Sequence, residues 1–192
     1  MSNEEIMELL KNKKLDIKTV QNIFEKNKNN QEIESMIAMN LSLRTSVYDK
    51  ELEKSDTMTY LLEELSASCS MEARWAVAKN PHTPIFILEK LSTDKINLVR
   101  ALVASNGNTP TKVLDKFFND EKIVRDGLSG NVNTSLKLLK ILCKDSDKMV
   151  RLRVADNPST SKEILETLLQ DTEQNVSLAA KKNIAIKTTK TV

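Results

Sequence analysis

From Ala73 onward, apolar positions return along the chain in a fixed rhythm. The stretch MEARWAVAKNPHTP is followed by INLVRALVASNGNTP and later by DKMVRLRVADNPSTS. Each phrase closes on an asparagine: Asn80, Asn106, Asn131, Asn157 and Asn183 fall at intervals of 26, 25, 26 and 26 residues. Seven residues before each stands Ala73, Val99, Val124, Val150 or Val176, and four residues after these come Val77, Val103, Leu128, Val154 and Ala180. Apolar residues four apart share one face of a helix, so each phrase predicts a helix of about two turns. Asparagine tolerates the left-handed conformation and is expected to end that helix there. Pro81 and Pro158 stop it outright after Asn80 and Asn157.

A second helix restarts in every unit. Thr83-Pro84 and Thr109-Pro110 read as an N-cap followed by proline at the first helical position. Thr134-Ser135 and Thr160-Ser161 keep the cap without the proline, and Glu163 three residues after Thr160 suggests a capping box. The stripe that follows reads Leu88/Leu91, Leu114/Phe117, Leu139/Leu142 and Leu165/Leu168, flanked by Ile87, Val113, Leu138 and Ile164. An aspartate closes each unit: Asp94, Asp120, Asp145 and Asp171. An earlier unit shows in TMTYLLEELSAS, where Leu62 and Leu65 hold the register. Two such short helices cannot bury their apolar faces alone, and stacking neighbours supplies the core.

The phrase VRxxVAxNPxTPxxxLxxL closing in Asp resembles the leucine-rich repeat variant family and, more broadly, the HEAT-like α-solenoids. The resemblance covers residues 57–183 and is clearest at 73–94, 99–120 and 150–171. It implies an all-α fold: a right-handed α-solenoid, or superhelix, of two-helix repeats of about 26 residues, with two helical layers, one of them partly 3₁₀. The best-known members of the family carry an iron–sulfur cluster on an N-terminal cysteine cluster. This chain has no such cysteines, so that cofactor is not carried over.

The repeats leave residues 1–56 as a helical N-terminal cap and 184–192 as a loose C-terminal tail. Ser2 with Glu5 forms a capping box ahead of IMELL, and helices are expected near 16–27, 31–40 and 43–54, the last carrying Val47, Tyr48 and Leu52. IESMIAMN, ending at Asn40, reads as a worn copy of the repeated phrase. At the far end Ser177 replaces the repeated arginine, and Lys181 and Lys182 make the last helix polar, as the end of a stack requires. The middle unit, VRDGLSGNVNTS, is one residue short and places Gly127 and Gly130 in its first helix. Glycine weakens helices, so a kink or a mobile seam is expected over 124–133.

Composition adds limits. Only 3 Gly and 4 Pro in 192 residues argue against the many turns of a sheet protein. Apolar residues make up 40% and charged residues 29%, an ordinary soluble profile, and the net charge of +2 is too small to mark a polyanion-binding protein. No run of about 18 apolar residues suggests a membrane span, and the start MSNEEIMELLKNKK lacks the apolar core of a signal peptide. Together with Cys69 and Cys143, which fit a reducing compartment, this points to the cytoplasm.

Candidate chemistry is sparse. Arg74, Arg100, Arg125 and Arg151 follow the first apolar residue of each phrase. Arg100 and Arg151 come six residues after Asp94 and Asp145, and Arg125 five after Asp120. Two readings stand. A guanidinium can bridge carboxylates and loop carbonyls as a structural ladder with Asp94, Asp120, Asp145 and Asp171. Alternatively, the row is exposed and captures phosphate or an acidic peptide. Trp75, the one tryptophan, follows Arg74 at a position that varies between units, so it is either filler or a contact anchor. His82 stands without a Cys/His cluster, so no metal site is expected. Cys143 reads as a small core residue and Cys69 as a loop residue with nothing to activate it. No phosphate-binding glycine loop, GxSxG, HExxH or paired CxxC occurs.

These observations point to a non-enzymatic repeat scaffold for protein–protein interaction, with a protein or peptide partner and no cofactor, metal or membrane. The alternative is a nucleic-acid-binding or DNA-repair protein of the HEAT-like alkylpurine glycosylase type. Against it stand 4% aromatic residues and the small net charge, since strand binding needs stacking platforms and a basic groove.

Overall fold

Ser2 and Glu5 form the expected capping box: the Glu5 N–H donates to Ser2 Oγ (3.2 Å) and the Ser2 N–H to the Glu5 carboxylate (2.7 Å). This opens α1 (Asn3–Leu10). The computed structural model describes residues 1–44 and 55–189. The helix expected over 43–54, with Val47, Tyr48 and Leu52, lies outside the described residues.

Asp16 and Asn30 cap α2 (Ile17–Lys26) and α3 (Gln31–Leu43), and Ser55 and Ser70 cap α4 (Asp56–Leu65) and α5 (Met71–Lys79). Then come α6 (Ile85–Leu91), α7 (Asn97–Ser105), α8 (Thr111–Leu114), α9 (Lys122–Gly130) and α10 (Leu136–Leu142). Last are α11 (Lys148–Asp156), α12 (Lys162–Leu168) and α13 (Gln174–Thr189). Among the described residues the chain is all-helical without a strand, and none of its helices is long and apolar enough to cross a membrane.

The chain forms two compact units, Met1–Asn108 and Thr109–Val192. In the first, α1, α3, α5 and α7 lie side by side as one layer, and α2, α4 and α6 pack behind them. Ile33, Ile37, Leu61, Leu65, Val77, Leu88 and Val103 fill the space between the layers. In the second, α9, α11 and α13 form the corresponding layer over α10 and α12, closing on Val124, Leu128, Leu139, Val150, Val154, Leu165 and Val176. Helices of the same kind start 26 residues apart at Met71 and Asn97, and at Lys122 and Lys148.

Several local expectations change. Asn80, Asn106, Asn131 and Asn157 end their helices in extended backbone, with φ between −65° and −75°, not in the left-handed region. The threonines are not N-caps: Pro84 and Pro110 occupy that position, as do Ser135 and Ser161. Thr83, Thr134 and Thr160 instead turn back, each hydroxyl donating to a carbonyl of the preceding helix (Val77, Leu128 and Val154, all 2.6 Å). Ser161 receives the Ile164 N–H, so Thr160 and Glu163 form no capping box. The second layer is α-helical, not 3₁₀, although α8 shrinks to four residues.

The expected loose tail is helical through Thr189, where α13 carries on past Asn183, and the Lys187 ammonium donates to Pro158 O (2.6 Å). Residues 190–192 are outside the described set. The two glycines leave α9 unbroken over nine residues, the same length as α11. The missing residue falls in the loop ahead of α9, where Asp120 accepts from the next N–H, Glu121, while Asp94, Asp145 and Asp171 each accept from the N–H two residues on.

Candidate functional site

The repeated asparagines form an internal ladder. Asn106 donates its side-chain amide to Ala78 O (2.8 Å) and Asn80 O (2.9 Å), the last carbonyls of the neighbouring helix. Asn157 does the same to Ser129 O and Asn131 O, and Asn183 to Ala155 O and Asn157 O. The side-chain oxygens of Asn80, Asn106, Asn131 and Asn157 accept from N–H groups two residues ahead. A helix end leaves carbonyls unpaired, and here the next repeat's amide satisfies them. Asn40 donates likewise to Leu10 O and Asn12 O, so the worn phrase in α3 keeps its rung. Asn80 is the break: its buried amide nitrogen has no partner among the described residues. The reason is local, since α3 runs on to Leu43 and Ala38 O is taken by the Ser42 hydroxyl.

The arginines form a second ladder. Arg74 grips Asp94 through Nε (2.6 Å) and Nη2 (3.2 Å), Arg125 grips Asp145 (2.7 and 3.1 Å), and Arg151 grips Asp171 (2.7 and 3.0 Å). Each remaining Nη1 donates to a carbonyl of the loop that precedes its own helix: Ser68 O, Asp120 O and Asp145 O. One guanidinium thus ties two successive loops with its planar fork. The spacing in sequence suggested pairing of Arg100 with the preceding Asp94. Arg100 donates to the main-chain oxygen of Asp94 (2.8 Å), and the Asp94 carboxylate pairs with Arg74.

The Arg74–Asp94 pair is the most enclosed of these, its side chains 9% and 6% exposed. Burial raises the Asp94 carboxyl, but Arg74 and the Ile96 N–H outweigh it and hold the group below its ordinary value. Asp145 follows the same balance with Arg125, and Asp171 is lowered chiefly by its bond to Arg151.

A rung of reversed polarity was not legible in the sequence. In α3 the arginine position carries Glu34, and the position matching Asp94 carries Ser68. Glu34 is buried and accepts from the Ser68 hydroxyl and from the N–H of Asn29, the non-glycine residue with positive φ (71°). Two successive loops, those ahead of α3 and α5, are again tied, now with an acceptor at the centre.

Outside the ladders lies the outward face of α3, α5 and α7. Equivalent positions there hold Glu32, Glu72 and Leu98 in one row, Ser35 and Trp75 in the next, where Ala101 of α7 is buried, and Met39, Lys79 and Ser105 in a third. Trp75 is half-buried on this face, and the Lys79 ammonium lies over its ring at 5.0 Å. Arg74 and Arg100 donate to the loops that precede α5 and α7, Trp75 is half-buried on this face, and Arg125 and Arg151 belong to the second unit. Cys69 is exposed, whereas Cys143 is buried at the end of α10, where burial pushes its thiol up.

No family model and no curated protein matches this chain. Among solved structures it is similar to one described as a leucine-rich repeat variant with a novel repetitive protein structural motif, at 19% identity, over 88% of this chain and 71% of that one, with a TM-score of 0.51. At that identity the likeness speaks of architecture, and it agrees with the two-layer packing of both units: the chain has the helical-repeat fold of a leucine-rich repeat variant.

Proposed function

We propose that the protein is a non-enzymatic repeat scaffold that binds a protein or peptide along the outward face of α3, α5 and α7, with Trp75 as an anchor. One observation carries this reading. The residues that the repeat reiterates are largely engaged internally: Asn106, Asn157 and Asn183 on carbonyls, and Arg74, Arg125 and Arg151 on aspartates and loops. The positions that differ from unit to unit are the ones facing outward, and a surface that varies on a uniform frame is how repeat proteins acquire partners. The same engagement argues against phosphate capture by Arg74, Arg125 and Arg151, whose donors are already committed.

A photo-crosslinking residue placed at Leu98, on this face, or at Phe86, on the second layer, tests the reading in the native cell extract. We expect a discrete adduct from position 98 that disappears in the Trp75→Ala background and is absent from position 86. Equal labelling at both positions, or an adduct indifferent to Trp75, contradicts it. Salt-dependent DNA binding by the purified protein would instead favour a nucleic-acid role.

A further inference from the structure

The outward face contains a concave feature. Between α1, α3 and the start of α5 runs an open groove of about 420 Å³, lined by Met7, Met36, Met39, Ser35, Glu32 and Glu72, with Gln31 and Ser70. Its floor is almost wholly apolar and is built on three methionines from two helices. Met39 is 48% exposed, a large apolar side chain left in water. Methionine is unbranched and polarizable, so a floor made of it adapts to differently shaped apolar side chains.

The charges at the groove are of one sign. Glu32 and Glu72 occupy equivalent positions on adjacent helices, both exposed. Glu72 is fixed in place: the Ser70 hydroxyl donates to its carboxylate (2.8 Å), and Ser70 Oγ lies 2.7 Å from Ser35 Oγ. Its own backbone N–H and Ser70 hold it below the ordinary carboxylate value, so it stays ionised. Lys79, at the other end of α5, is directed over Trp75. The surroundings agree: residues 1–108 carry 14 Lys and Arg against 16 Asp and Glu, whereas the second unit carries 15 against 11.

We infer that this groove receives a cationic amphipathic helix of a partner protein, its apolar side chains on Met7, Met36 and Met39 and its Lys or Arg residues against Glu32 and Glu72. The inference rests on the scaffold reading and specifies the partner's chemistry. A helix laid in a groove presents apolar anchors at i, i+3, i+4 and i+7 with its polar positions flanking them, which matches an apolar floor with charged corners. A small polar ligand fits poorly, because the floor offers few converging polar groups to orient it.

The test uses the full chain and two synthetic 18-residue helices sharing one leucine face, one with lysine and one with glutamate at every polar position. Trp75, three residues from Glu72 on α5, reports binding by fluorescence, and calorimetry confirms it. We expect the lysine peptide to bind at least tenfold more tightly than the glutamate peptide, with affinity falling as salt rises. Met36→Gln with Met39→Gln should abolish binding while leaving the circular dichroism unchanged. Glu32→Lys with Glu72→Lys should invert the preference between the peptides. Equal binding of both peptides by the wild type, or a preference that survives charge reversal, overturns the inference. Self-association of the purified protein that the methionine variants dissolve also overturns it, because the occupant is then a second copy. A glutamate-peptide preference that the methionine variants abolish overturns the cationic assignment and leaves the scaffold reading standing, which the crosslinks at Leu98 and Phe86 test separately.

Discussion

At the scale of single residues, this protein spends its recurring side chains on closing main-chain hydrogen bonds between neighbouring repeats. Asn157 is 2% exposed and donates to two carbonyls of the α9 terminus while accepting the Ser159 N–H. Asn157→Ala should therefore cost about 2–3 kcal/mol in chemical denaturation, because buried carbonyls lose their donors with no water to replace them. Arg74→Ala should cost a similar amount, about 3 kcal/mol, since it strands the enclosed Asp94 carboxylate and frees the Ser68 carbonyl. Lys140→Ala, which removes the exposed pair with Glu163, should leave the midpoint unchanged. The three aspartates also fix the direction of the pH response. Their folded-state values lie below the ordinary one, so their stabilisation is complete above roughly pH 4 and is lost as pH falls through the lowered values. Acid titration of the Arg74→Ala variant should show a shallower loss over that range than the wild type. The recurrence of these residues, and an arginine–aspartate ladder, were legible in the sequence, but which aspartate each arginine takes and what the asparagines bind were not. An asparagine after a short helix looks like a left-handed stop, and an arginine six residues after an aspartate looks like its partner. In the fold the carboxylates lie 20 residues ahead of Arg74, Arg125 and Arg151, and the carbonyls 26–28 residues behind Asn106, Asn157 and Asn183, because adjacent strips of chain are one repeat apart.

At the scale of helices, the hydrophobic period predicted the first-layer and second-layer pairs closely, since one buried stripe determines both the helix and the side it packs on. What the period could not give was the local turn chemistry. Thr83, Thr134 and Thr160 sit two residues ahead of a helix, where a cap is the ordinary reading. Serine or proline takes the cap position, and the threonine hydroxyl ties the turn to the helix before it. The glycines that suggested a weak α9 leave its helix unbroken. The missing residue is absorbed in the loop before it, and Arg125 still reaches Asp120 O (2.7 Å) across the shortened spacing. Asn157 still finds Ser129 O and Asn131 O at the end of α9. Gly130 has no positive φ, and a Cβ there would meet Arg153 Cδ at 3.8 Å, an ordinary contact. Gly130→Ala should consequently raise stability by about 0.5–1 kcal/mol, read as a higher melting temperature, because alanine loses less backbone entropy in a helix. A lower melting temperature would mean that the close of α9 needs the glycine. Hydrogen exchange should find the α9 amides slowed to a degree similar to those of α11.

At the scale of the whole molecule, a repeat protein is stable only where each layer has a neighbour, and the last helix of a unit must cover apolar surface without exposing its own. In the second unit α13 carries this role. It packs on α11 and α12, burying Val176 and Ala180, while Lys181 and Lys182 face water. Asn183 supplies the final rung to Ala155 O and Asn157 O, and Lys187 extends the contact to Pro158 O. The polar outer face was evident in the sequence. The helical continuation past Asn183 was not, because IAIKTTKTV lacks an amphipathic period. Removing residues 174–192 should leave Asp171 in place for Arg151, so the rung beneath survives. It should nonetheless cost about 3 kcal/mol, combining the burial of a valine-sized side chain with two buried hydrogen bonds. The exposed surface of α11 and α12 should then bind a hydrophobic dye and drive self-association, observable by fluorescence and sedimentation. A truncated chain that stays monomeric and melts at the wild-type temperature would show that α11 and α12 need no cover.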